Sequence, residues 1–452
     1  MGRVAYIPTT SVGVELRRLL QLAIPVVLAE LGWYSMTIVD TIMVGPIGPA
    51  AIGAAGIGSS AFYTLAIFGM GLLLGLDTLV SQSWGAGDRN DCHHSLAQGV
   101  YLSLAITAPL MFVFAFMPPL FGAAGVNRQV SALAGPFLST LSWSTLPLLL
   151  YAAFRRYLQG MGHVRPVMFV LISSNLVNWF GNWLLIEGHW RCPALGVVGS
   201  ALSTCVARVY MAAALGLFIW WLERGSEPGL ASLFRKPDFN RLRTLLALGF
   251  PAAMQIMLEV GAFGAAAVLA GRLTPAALAA HQISINCAAL TYMVPLGVSS
   301  AAAVAVGQSI GRREFSRARR EGYMAIALGC AFMSCSGLLF WLSPSPILRV
   351  YTPDTQVLAI GRNLLAIAAV FQLFDGIQAV TTGALRGLGN TRTPMMINLA
   401  GYYLLGLPLG YFLCFNRAYG IYGLWIGLSL ALIAIAIYLL FSWRYESRRL
   451  AM

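Results

Sequence analysis

The sequence predicts an all-α integral membrane protein with twelve transmembrane helices in two parallel, pseudo-symmetric six-helix lobes. Three observations carry that prediction. Of 452 residues, 58% are apolar and 10% are charged, and mean hydropathy is +0.75. Soluble domains carry about 25% charged residues, so soluble globular and disordered chains are both excluded. Twelve apolar stretches are long enough to cross a bilayer, which takes about 20 residues. The second half of the chain repeats the first at a constant shift.

The spans fall at 17–44, 51–81, 95–117, 130–154, 166–187 and 194–222, then at 244–271, 276–308, 322–342, 357–385, 394–416 and 419–443. Proline and glycine punctuate the connections, as in Gly45-Pro46-Ile47-Gly48-Pro49 and Ser343-Pro344-Ser345-Pro346. The first span follows Arg17 and Arg18 and contains acids, so it reads as a retained helix and not a cleaved signal. A net charge of +13 would suggest a nucleic-acid partner, but the basic residues sit between apolar spans, so none is expected. With both termini cytoplasmic, inner segments hold 22 of the 29 Lys and Arg residues and outer loops hold six, namely Arg128, Arg191, Arg272, Arg349, Arg362 and Arg417. That bias sets the orientation, because a single missed span would invert every later loop.

The halves align at a shift of 226 without a gap over more than sixty residues. Pro25 matches Pro251, Gly71 matches Gly297, Gln82 matches Gln308 and Gly85 matches Gly311. Further on, Gly160 and Arg165 match Gly387 and Arg392 at a shift of 227. Six spans per repeat bring both halves into the membrane in the same direction, about an axis along its normal. The expected division is an N-terminal lobe over 1–222, a cytoplasmic linker over 223–243 and a C-terminal lobe over 244–452.

Enzyme functions are poorly supported. The only lysine is Lys236, so the GxxxxGK[ST] phosphate loop is impossible. The seven cysteines are scattered without CxxC spacing, which argues against a disulfide framework or zinc. No HExxH, no GxSxG and no paired Asp-rich motif is present. No cofactor is expected.

Ionisable groups inside spans cost roughly 2.5–3.5 kcal/mol or more and are functional candidates by default. Five acids qualify: Glu30 and Asp40 in span 1, Asp77 near the inner end of span 2, Glu259 in span 7 and Asp375 in span 10. Glu259 and Asp375 lie mid-membrane and Asp40 in the outer half, whereas Asp77 is close enough to the 82–89 loop to cap a helix or sit at the interface. Asn175, Asn178 and Asn182 share one face of span 5 and suggest either a polar cavity wall or interhelical hydrogen bonding. Arg208 in span 6 is expected to partner a buried acid, and His281 in span 8 to pack structurally. Aromatic residues such as Tyr292 and Phe371 are candidates for stacking on a flat cation.

Several stretches are similar to a known family. Val39-Asp40-Thr41-Ile42-Met43-Val44-Gly45 resembles the helix 1 signature of multidrug and toxic compound extrusion (MATE) transporters. Leu258-Glu259-Val260, Ala279-Ala280-His281-Gln282, Phe371-Gln372-Leu373-Phe374-Asp375-Gly376-Ile377-Gln378 and the run 384–394 resemble the NorM-like branch. The resemblance implies a V-shaped pair of lobes and export of amphiphilic, often cationic aromatic compounds in exchange for Na⁺ or H⁺. It implies coupling at Glu259 and Asp375, with Asp40, Asn178 and Asn182 contributing, and localisation in a plasma membrane, bacterial inner membrane by preference. Asn175, Glu30, Tyr292 and Phe371 complete the expected cavity. Glu259 and Asp375, with Ser284, Asn286 and Tyr292, offer oxygens for Na⁺. Asp77 resembles eukaryotic-type, proton-coupled members, but Gly264 stands where those carry a second helix 7 acid, so both ions stay open. The expected partners are small organic cations and membrane lipid, and the expected state is a monomer. The rivals are a lipid-linked precursor flippase, opposed by five intramembrane acids against the lone Arg208, an intramembrane prenyl- or glycosyl-transferase, which would need clustered acids for a metal, and a membrane sensor or scaffold.

Overall fold

The computed structural model describes residues 12–123, 125–224 and 236–449. Most of the predicted linker, including Arg235, lies outside the described residues. Eleven helices are long and apolar enough to span a membrane, and one bent pair supplies the twelfth. In chain order these are α1 (Gly13–Ile47), α2 (Pro49–Gly85), α3 (Arg89–Phe116), the bent α4 (Arg128–Ser142 with Thr145–Gly160), α5 (Val164–Ile186) and α6 (Val197–Leu222). The second half supplies α7 (Phe239–Ala270), α8 (Pro275–Gly311), α9 (Phe315–Leu342), α10 (Thr355–Leu388), α11 (Arg392–Asn416) and α12 (Ile421–Arg449).

Helix starts follow local chemistry. Asp88, Asp238 and Asp354 accept backbone N–H bonds at the N-termini of α3, α7 and α10, and Thr274 caps α8 ahead of Pro275. α4 bends by 48°. Pro147 has no N–H to offer the Trp143 carbonyl one turn back, which opens the backbone there. The Ser144 and Thr145 hydroxyls turn back onto the carbonyls of Leu141 and Ser142. Several helices outrun their apolar stretches. α9 begins at Phe315 and α12 ends at Arg449, because helical hydrogen bonding continues past the point where apolarity stops.

Two hydrophobic cores form, one in each half, and each borrows from the other. Leu19, Leu22, Ala23 and Val26 of α1 are buried with the C-terminal core. Leu245 and Ala253 of α7 are buried with the N-terminal core. The halves meet most closely at one end, which gathers the connections 86–88, 312–314 and 389–391 and is called here the basic end. A Cβ on Gly85 would lie 2.1 Å from the Gln308 carbonyl oxygen, and one on Gly311 would lie 2.0 Å from that of Gln82. Gln82 donates to the Gly387 carbonyl at 3.0 Å, and Gln308 to the Gly160 carbonyl at 2.8 Å. These contacts are exchanged by the internal repeat, which is why its register holds at glutamine and glycine.

Candidate functional site

Glu259 lies in the second half of α7, is 9% exposed, and both its carboxylate oxygens accept hydrogen bonds. Gln255, one turn earlier, donates to Oε2 at 2.9 Å, and Tyr292 of α8 donates to Oε1 at 3.3 Å. Gln378 of α10 also faces this carboxylate. Behind it, Tyr402 of α11 donates to Gln378 at 3.2 Å, and Gln378 donates to Asn398 at 3.2 Å. Asp375 is buried on α10 within electrostatic range of Glu259. Among the described residues neither acid has a basic partner within ion-pair distance. Four helices of the C-terminal half therefore build a site in which neutral donors surround Glu259 and a second carboxyl, Asp375, lies within electrostatic range.

Gln255, Gln378, Tyr402 and Asn398 were not singled out in the sequence. Gln255 carried a signal, since it lies one turn from a mid-span acid. Ser284 is buried with no partner for its hydroxyl among the described residues, and Asn286 is half-buried. Phe371 packs within the C-terminal core against Trp425, with ring centroids 5.7 Å apart. His281 is held by the same Trp425, whose indole N–H donates to Nδ1 at 3.0 Å. Among the described residues no three His, Cys, Asp or Glu side chains cluster as a metal site. A cation held here would take its further oxygens from Tyr292 and amide carbonyls. All seven cysteines are unpaired.

The N-terminal half has a second cluster toward the opposite end. Asn182 donates to Asp40 Oδ1 at 2.7 Å, and Thr204 of α6 donates to Oδ2 at 3.2 Å. Asn178 donates to Thr204 and accepts from Asn182, both at 3.3 Å. Thr204 went unread, because a threonine in a span gives no distinguishing signal. Asn175 is occupied one turn away, where it donates to the Gly32 carbonyl of α1 at 3.0 Å and accepts from Ser35.

The remaining acids have arginine partners. Glu30 forms a buried ion pair with Arg155. The placement of Asp77 needs correction. It is 1% exposed, and its Oδ2 lies 3.4 Å from Arg156 and 3.3 Å from Arg386 of the other half. Its short distance from a loop suggested an interfacial residue, but the halves close over it and exclude water. The arginine count changes accordingly. Arg155 and Arg386 are buried and Arg156 nearly so, although sequence alone assigned them to loops. Arg208 is not the lone intramembrane arginine, and it does not pair with an acid among the described residues. It donates to Ser144 at 2.6 Å and Tyr63 at 2.9 Å, and lies 4.6 Å above the Phe62 ring. It braces the bend of α4.

The MatE family profile matches the chain twice, over residues 25–184 and 251–412. A probable multidrug resistance protein NorM of Mesorhizobium japonicum is 33% identical over 444 residues, covering 96% of this chain and 94% of the relative. A multidrug resistance protein NorM of Burkholderia vietnamiensis is 33% identical over 432 residues, covering 94% of this chain and 92% of its own. The crystal structure of the eukaryotic MATE transporter AtDTX14 superposes with a TM-score of 0.86 at 21% identity, covering 97% and 98% of the two chains. An outward-facing MATE family transporter of the MOP superfamily superposes at 0.87 with 17% identity, covering 97% of each. The chain belongs to the MatE family; it is an integral membrane transporter and not an enzyme.

Proposed function

We propose that this MatE family member is a cation-coupled antiporter that exports amphiphilic, cationic aromatic compounds by alternating access, with its basic end facing the cytoplasm. One observation carries the reading. Glu259 and Asp375 are buried within their spans and within electrostatic range of each other, Glu259 accepts from neutral donors, and neither has an arginine or lysine partner among the described residues. A buried carboxyl without a basic partner holds a proton, a bound cation or a cationic ligand, since an uncompensated charge is too costly there. Inward-moving Na⁺ or H⁺ and outbound substrate then compete for the same oxygens. Binding of one shifts the balance between the states open to either side, to the extent that its affinity differs between them.

The basic-end bias of Lys and Arg supports the orientation. The lipid-linked precursor flippase gains from the buried Arg155, Arg156 and Arg386, since pyrophosphate needs guanidiniums. Yet Arg155 is committed to Glu30, and Asp77 lies against Arg156 and Arg386. Arg208 is taken up by Ser144 and Tyr63, whereas Glu259 and Asp375 have no basic partner among the described residues, which favours cationic cargo.

The deciding experiment is substrate efflux from proteoliposomes under an imposed Na⁺ gradient at equal pH, and then under a pH gradient without Na⁺. We expect at least one gradient to accelerate efflux. If neither does, coupled antiport is wrong.

A further inference from the structure

The inner ends of α9 and α12 form a groove that the transport reading does not use. It has a volume of about 520 Å³ and is lined by Arg319 and Tyr323 of α9 and by Leu440, Phe441, Arg444 and Arg448 of α12. Arg319 and Tyr323 fall four residues apart on α9, and Leu440, Arg444 and Arg448 fall four apart on α12 with Phe441 beside them, so each set presents a single face. At its back the helices meet tightly, since a Cβ on Gly322 would lie 2.0 Å from the Trp443 ring. The wall changes character along α12. Leu440 and Phe441 lie toward the membrane interior, with Phe441 63% exposed, and Arg444 and Arg448 lie beyond them at the basic end.

The charge in this groove is uncompensated. Among the described residues Arg319, Arg444 and Arg448 make no ion pair, and Arg319 instead lies 5.9 Å over the Tyr323 ring. Nearby acids are turned elsewhere. Glu15 holds Arg320, Glu314 holds Arg317, Glu321 holds Arg317 and Arg18, and Glu446 accepts from Asn390. The internal repeat supplies a control. At a shift of 226, Arg319 corresponds to His93, which pairs with Glu223 at 2.9 Å, and Arg320 corresponds to His94, which lies 3.4 Å from Asp238. A carboxylate stands against each of these positions in the N-terminal half, Asp238 coming from the start of α7, whereas in the C-terminal half Glu15 holds Arg320 and Arg319 has no acid partner among the described residues.

We propose that this groove binds an anionic phospholipid of the leaflet at the basic end. Its phosphate is held by Arg319, Arg444 and Arg448, and an acyl chain lies along Leu440 and Phe441. Guanidinium groups form forked hydrogen bonds to phosphate oxygens, and basic pockets between helices at the inner interface suit anionic headgroups. The proposal stands apart from cation coupling, because it needs neither Glu259 nor Asp375.

The test uses the purified full chain in delipidated detergent, with phosphatidylglycerol, phosphatidylcholine and inorganic phosphate as probes, read by native mass spectrometry and by thermal shift. Arg319→Gln/Arg444→Gln/Arg448→Gln is compared with wild type and with Arg165→Gln/Arg392→Gln, which removes basic-end charge elsewhere. Single Arg444→Gln and Arg448→Gln variants sit at an exposed helix end and cover the case in which the triple variant fails to fold. Phosphatidylglycerol is expected to bind wild type and the Arg165/Arg392 control alike. Binding should weaken about fivefold per groove arginine lost, on the order of a hundredfold for three. Equal binding by groove variants and control would reduce the effect to diffuse surface attraction and overturn the site. So would equal affinity for phosphatidylcholine, or full displacement by inorganic phosphate, which would make the site one for a free anion.

Discussion

The two halves treat the carboxylates within their predicted spans differently. In the N-terminal half Glu30 is matched to Arg155 and Asp77 to Arg156 and Arg386, and only Asp40 relies on neutral donors. In the C-terminal half neither Glu259 nor Asp375 has a basic partner among the described residues. Both halves descend from one repeat, so the difference is not imposed by the fold. An arginine-paired acid has its charge committed and serves architecture. An unpaired acid can exchange its counter-ion, which is what coupling needs.

The largest effect should come from removing the unpaired acids. Glu259→Gln or Asp375→Asn keeps volume and deletes the exchangeable charge, so gradient-driven dye efflux should fall to background, while insertion and thermal stability stay at wild-type levels. Normal efflux by both variants at matched expression would break the contrast outright. The paired acids should behave in the opposite way. Arg155→Gln strands Glu30 as an uncompensated buried charge, a loss of about 3–5 kcal/mol. The paired change Glu30→Gln/Arg155→Gln should recover most of that, because no lone charge remains. Unfolding in detergent measures both. A wild-type midpoint for Arg155→Gln would mean that the ion pair has no structural role.

Much of this contrast could be read from the chain, and the missing part has a common cause. Span positions, the repeat register and the five intramembrane acids follow from hydropathy and spacing. The partners of those acids do not. Arg155 lies 125 residues from Glu30, and Arg386 lies 309 residues from Asp77. All three arginines that face these acids adjoin loops, where the inside-positive bias makes arginine unremarkable. Asp40 fared better because the asparagines meeting it lie on one stripe of α5, so spacing exposed Asn178 and Asn182. Phe371 shows the converse limit. Its motif is specific, but whether an aromatic side chain faces a cavity or the core depends on neighbours such as Trp425 that pattern alone does not place. The bend of α4 was legible in principle from Pro147, yet hydropathy averages over it.

The Asp40 cluster is intermediate between the two classes and gives the smallest effects. If Asp40 takes part in binding cation or substrate, Asp40→Asn should slow efflux severalfold without the full loss expected at Glu259. Asn178→Ala should do less, since Asn178 reaches Asp40 only through Thr204 and Asn182. Thr204→Val separates the two parts of the cluster. Valine keeps the shape and removes the hydroxyl that donates to Asp40 and accepts from Asn178. One lost bond to a charged group corresponds to about 1.5–3 kcal/mol if the partner stays unsatisfied. Asn182 still donates to Asp40 at 2.7 Å, so the residual effect should sit at or below the lower figure. The expected result is a several-fold higher half-saturating substrate concentration with an unchanged maximal rate. Wild-type transport by Thr204→Val alongside an impaired Asp40→Asn would show that Asp40 works without this hydroxyl, and that α5 alone positions it. Wild-type transport by Asp40→Asn itself would move this half of the molecule entirely into the architectural class, leaving coupling to Glu259 and Asp375.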